Sequence, residues 1–122
     1  MHEWEYKCRD GIGIEIDRGE GFEAFAKGLK SVHGGHMKKN SQIWHVLRAL
    51  YHGDVIDDYR RRPKNDKGYE VHNVRSRVPE LREDWNISIG SRVIEGTRNT
   101  KEYCLDMRPY TVRRKCVHGV SA

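Results

Sequence analysis
"YEVHNVRSRVPELRED", Tyr69 to Asp84, decides the fold, because one short run carries an apolar stripe, three arginines and a proline. At about 100° per residue, Val71, Val74, Val78 and Leu81 share one arc and should face a core. That stripe keeps its register through Pro79. A proline in a helix interior removes one hydrogen bond and costs about 3 kcal/mol; even so, the unbroken stripe predicts one helix kinked at Pro79, not two helices. Opposite the stripe lie His72, Asn73, Ser76 and Glu80, with Arg75 and Arg82 at one border and Arg77 at the other.

The neighbouring segments supply the rest of a core. Before it, "NSQIWHVLRALYHG" sets Ile43, Trp44, Val46, Leu47, Leu50 and Tyr51 on one face, with Asn40 or Ser41 as N-cap and Gly53 as terminator. "DVIDDYRRRP" reads as a short second helix, started at Asp54 and closed by Pro63. After Asp84, "NISIGSRVIEGTRNTKEYCLDM" reads as two strands around a polar loop. The tail "RPYTVRRKCVHGVSA" has no strong period and is expected to form a basic arm, residues 109–122, with Arg113, Arg114 and Lys115 exposed.

At the other end, "EWEYKCRDGIGIEID" alternates Trp4, Tyr6 and Cys8 with Ile12, Ile14 and Ile16. A three-residue loop with Gly11 left-handed would pair Cys8 with Ile12, Tyr6 with Ile14 and Trp4 with Ile16. In "EGFEAFAKGLKSVHGG", Phe22, Phe25, Ala26, Leu29 and Val32 recur at helical spacing, so one amphipathic helix should cover this hairpin. A hairpin plus one helix is marginal alone and needs a surface to dock on.

Charge divides the chain in the same way. Residues 1–36 hold five basic and seven acidic side chains, net −2, so the remainder carries +7 of a chain whose total is +5. Such asymmetry points the C-terminal two thirds toward a polyanion. No apolar run is long enough to span a bilayer and the N-terminus lacks a signal pattern, so a cytoplasmic protein is expected. Three widely spaced cysteines, Cys8, Cys104 and Cys116, are expected as reduced thiols.

An apolar first helix ending in Leu50-Tyr51-His52-Gly53, a third helix carrying Arg77 and ending in Leu81-Arg82, and a hairpin in "SRVIEGTRNTKEYCLD" together resemble a small winged helix-turn-helix family common in phages and mobile elements. The similarity covers roughly residues 41–106 and departs from the pattern at the extra "PKNDKG" and at Pro79. It implies a winged helix-turn-helix domain, residues 37–108, of three helices plus a β-hairpin wing; with the β-hairpin and helix module read above for residues 1–36, which lies outside the resemblance, the chain is expected to be α+β. The implied partner is double-stranded DNA. The implied contacts are Tyr69, His72, Asn73, Arg75, Ser76, Arg77 and Arg82 on helix three and Arg92, Arg98, Asn99 and Lys101 on the wing. Arg60-Arg61-Arg62, helix three, the wing and the tail would converge as four basic elements. Residues 1–36 would then serve a homodimer or a protein partner. The competing reading is an interaction protein, such as a phage inhibitor seated in the nucleic-acid groove of a host enzyme.

Enzymatic readings find less support. His33 and His36, even with Cys116 and His118, lack a spaced second pair for a metal. Asp54, Asp57 and Asp58 fit the first turn of a helix, and "DGIGIEIDRGEG" lacks the lysine of a phosphate loop. No nucleophile, base and orienter assemble from order alone, so a non-enzyme without metal or cofactor is expected.

Overall fold
The computed structural model describes residues 3–117, with side chains described up to Arg114. In chain order its elements are β1 (Glu5–Lys7), α1 (Phe22–Lys27), α2 (Gln42–Tyr51), α3 (Val74–Glu83), β2 (Ile89–Val93), β3 (Lys101–Leu105) and α4 (Tyr110–Val117). The fold is α+β: among the described residues, four helices and a three-stranded antiparallel sheet ordered β1-β2-β3.

The core lies between α2, α3 and the sheet. Ile89 faces Leu105 and Ser91 faces Tyr103 across β2 and β3, and all four side chains are buried on the inner face. Val46, Leu47 and Leu50 of α2 meet Val74, Val78 and Leu81 of α3 with at most 1% exposure. α2 begins at Ser41, whose hydroxyl accepts the Trp44 N–H at 3.3 Å, and stops before Gly53, which has a φ of 90°. A left-handed residue there suits glycine, and this end matches the sequence expectation. α3 runs through Pro79 as its stripe predicted, but the helix expected over residues 69–84 starts only at Val74, so Val71 of that stripe is buried outside it.

Four further expectations are corrected. The N-terminal β-hairpin does not form: β1 pairs with β2 instead, Tyr6 opposite Gly90. The missing side chain at Gly90 admits the Tyr6 ring, because a Cβ there would sit 2.8 Å from Tyr6 Cε1. Gly11 is left-handed as expected, with φ 84°, yet Ile14 and Ile16 turn away to pack on the main core. Their alternation reported burial and not mutual pairing.

The helix expected across Phe22 to Val32 ends at Lys27. Gly28 closes it with its N–H shared between Ala24 O and Phe25 O, both at 3.2 Å. Leu29 is still buried, whereas Val32 is 42% exposed. Instead of covering a hairpin, α1 lies on α2, with the Phe22 ring 5.0 Å from Trp44 and 5.4 Å from Tyr51.

The second helix, expected over residues 54–63, is absent. Ile56 makes an isolated bridge to Tyr103 of β3. The buried Asp57 carboxylate gathers the N–H groups of Tyr59, Arg60 and Arg61 at 2.5, 2.6 and 3.2 Å. Aspartate competes for backbone donors in this way and so favours turns over helix interiors. Without that helix the helix-turn-helix of the expected domain is incomplete.

Finally, residues 109–122 are no simple exposed arm. α4 occupies Tyr110–Val117, and Arg113 is only 3% exposed. Its guanidinium donates from Nη1 to Ile12 O at 2.6 Å and from Nη2 to Ile14 O at 3.2 Å, and Nε lies 4.0 Å from Asp106. Arg114 is exposed as expected; the Lys115 side chain and residues 118–122 lie outside the described residues.

Candidate nucleic-acid interface
The start of α3 is built by a neighbouring segment. Residues 69–73 are not helical, and Asn73 sits at the N-cap in the left-handed region, φ 64° and ψ 37°, with no capping bond from its own side chain. Asp58 supplies the cap: Oδ1 accepts the Val74 N–H and Oδ2 the Arg75 N–H, both at 2.8 Å. A carboxylate at a helix N-terminus satisfies orphan donors and faces the positive end of the helix dipole. Tying residue 58 to residues 74 and 75 holds the Tyr59–Arg62 segment beside α3.

Between that segment, α3 and the far end of the β2–β3 hairpin lies an open groove of about 940 Å³. His72, Asn73, Arg75, Arg82, Asn99 and Lys101, all expected contacts, line it together. Asp58, Tyr59, Arg62 and Thr100 join them, over a floor that includes Val78, Pro79 and Tyr103. Four cationic side chains therefore meet one carboxylate, and that carboxylate is already engaged by two backbone donors.

The cations differ in freedom. Arg82 is partly buried and donates from Nε and Nη2 to Ile89 O, at 3.2 and 2.6 Å, so it ties α3 to β2 while lending its charge to the groove. Burial draws its pKa below the usual arginine value. Arg62 reaches Glu70 at 3.6 Å. Arg75 and Lys101 are exposed and form no ion pair among the described residues. Asn73 and His72 are exposed at the same mouth. The groove thus offers exposed cations, an amide and an imidazole above an apolar floor, which suits a phosphate-bearing ligand.

The remaining expected contacts lie elsewhere. Arg77 pairs with Glu80 at 2.9 Å. Arg92 lies on the outer sheet face, its guanidinium 4.1 Å from the Trp4 ring centroid and its Nε 3.5 Å from Glu102. Tyr69, Ser76 and Arg98 are exposed but do not line the groove. Of the four basic elements expected to converge, Arg62, α3 and the hairpin do so. From the tail, Arg113 is instead buried against Ile12 and Ile14.

Asp58 and Tyr59 were not anticipated as part of the site. The adjacent pair Asp57-Asp58, which resembles a helix start, was the available signal. Each carboxylate instead organises a different backbone, Asp57 its own turn and Asp58 that of α3. No protein-family model, curated protein or solved structure matches the chain.

Proposed function
We propose that the chain is a double-stranded DNA-binding protein of winged-helix character, a transcriptional regulator or accessory factor of a phage or mobile element. In this reading α3 enters the major groove and the β2–β3 hairpin serves as the wing. The observation that carries it is the convergence of Arg62, Arg75, Arg82 and Lys101, from three separate segments, on one groove beside the exposed Asn73 and His72. Cations from several elements around one groove match a phosphate backbone better than a helix face bathed in solvent. Asn73, exposed at the N-cap of α3, can pair with adenine through its amide.

Duplex retardation across a salt series tests the reading. Lys101→Gln is expected to weaken all sequences alike and to lower the salt slope by about 0.9. Asn73→Ala is expected to relax preference at one base pair, by about 1–3 kcal/mol. Absence of duplex retardation at low salt, or equal and unselective effects from both substitutions, would reject it.

A further inference from the structure
Behind the Arg60–Lys64 segment, on the side away from α3, lies a second groove of about 680 Å³ against the C-terminal half of α2. Arg48, His52, Arg61, Arg62 and Lys64 line it, and Asp54 is its one carboxylate. Arg62 lines both grooves. The segment is therefore a ridge of four cations in five residues, Arg60, Arg61, Arg62 and Lys64 around Pro63, with a basic channel on each side.

The ridge is preorganised. Asp57 holds the N–H groups of Tyr59, Arg60 and Arg61, and Pro63 O accepts the Val71 N–H at 2.7 Å. In the channel Arg48 is committed to Asp66 at 2.6 Å and to Lys64 O at 3.1 Å. Arg61 and Lys64 are exposed and have no ion pair among the described residues. His45, also part of the lining, is 5% exposed, and its Nδ1 is buried with no hydrogen-bond partner. Burial, then the neighbouring Arg48 charge, lowers the His45 pKa.

We propose that the second groove holds the phosphodiester strand on the far side of a minor groove, with the Arg60–Lys64 ridge inserted between the two strands. The inference rests on the duplex reading above. With α3 in the major groove, the strand bordering it occupies the first groove. The next feature across that strand is the minor groove, where the ridge stands, and beyond it comes the second strand. Arginines favour a narrow minor groove because its negative potential is enhanced there.

The experiment is duplex binding over a salt series for the wild-type chain, R61Q/K64Q and R75Q/K101Q, with and without a small minor-groove ligand such as netropsin on A·T-rich duplex. R61Q/K64Q is expected to lower the salt slope by about two, so that about tenfold less affinity is lost between about 50 and about 200 mM salt. The minor-groove ligand is expected to displace the wild-type chain. An unchanged slope for R61Q/K64Q beside a lowered slope for R75Q/K101Q overturns this inference and leaves the proposed function standing. The reverse pattern rejects the first groove and retains the second as a polyanion site. Failure of the minor-groove ligand to compete overturns insertion of the ridge, and no wild-type binding to any duplex overturns both readings.

Discussion

Asp58→Ala probes the joint between fold and site. The Asp58 carboxylate spends one oxygen on Val74 N–H and the other on Arg75 N–H, each at 2.8 Å. Losing a capping side chain costs about 0.5–2 kcal/mol, and losing a negative charge from a helix N-terminus about 0.3–1 kcal/mol more. Asn73 cannot take over, since it is left-handed and its side chain makes no capping bond. We expect about 2 kcal/mol of destabilisation. At about 2.1 cal/mol/K per residue, a chain of 122 residues loses about 4 °C of Tm per kcal/mol, so the melt should move down by about 8 °C. Asp58→Asn keeps one good acceptor and should lose about half as much. Urea titration and thermal melts followed by far-UV circular dichroism measure both variants. A loss below about 0.5 kcal/mol for Asp58→Ala would refute the claim that this carboxylate starts α3. So would equal losses for the Ala and Asn variants.

Three further substitutions or titrations follow from the packing. Gly90→Ala places a Cβ 2.8 Å from Tyr6 Cε1 and 3.2 Å from Cys104 Sγ, so about 1–3 kcal/mol of stability should be lost; G90A/Y6A should lose less than the two single variants added together, as measured in a double-mutant cycle. Arg113→Met strands Ile12 O and Ile14 O and removes a cation from buried Asp106; we expect a loss of about 3 kcal/mol and faster amide exchange over residues 12–16, and no change in exchange there would contradict the clasp. Burial pushes the Cys104 thiol up to about 11 from 9.0. Its alkylation near pH 8 should therefore run about 100-fold slower than that of an ordinary thiol, as judged by peptide mass spectrometry. Because the folded chain holds this proton more tightly than the unfolded one, the associated stability is complete below about pH 9 and lost as pH rises toward about 11.

How far the sequence can be read depends on where each residue finds its partner. α2 was legible because its six apolar positions and both ends are local, and Ser41 and Gly53 do what their chemistry favours. β2 and β3 were legible because a short loop joins them and their alternation fixes the register. Val74, Val78 and Leu81 carried α3 correctly through Pro79.

Residues 54–63 were not legible. Asp57 and Asp58 have the right chemistry for a helix start, yet one bonds its own turn and the other caps a helix sixteen residues on. β1 was recognisable as a strand, but nothing near it could announce that its partner is β2. In the site, the basic residues of α3 and the hairpin were identifiable by type. Whether each reaches the groove depends on register and neighbours: the pleat of β2 puts Arg92 on the opposite sheet face, against Trp4, and Glu80 holds Arg77. Tyr69, His72 and Asn73 precede the helix, so a helical wheel could not place them.

The clasp made by Arg113 has a consequence for synthesis. It joins the carbonyl of Ile12 to a guanidinium 101 residues later, so the segment around Ile12 leaves the ribosome long before its anchor is made. At about 5–20 residues per second that wait is about 5–20 s. For most of it Trp4 and Tyr6 lack β2, and throughout it the Ile12 and Ile14 carbonyls lack Arg113. Closure of this clasp therefore waits on translation of residue 113, and a pause in the message between residues 16 and 113 prolongs exposure of the segment around Ile12 to chaperones and proteases.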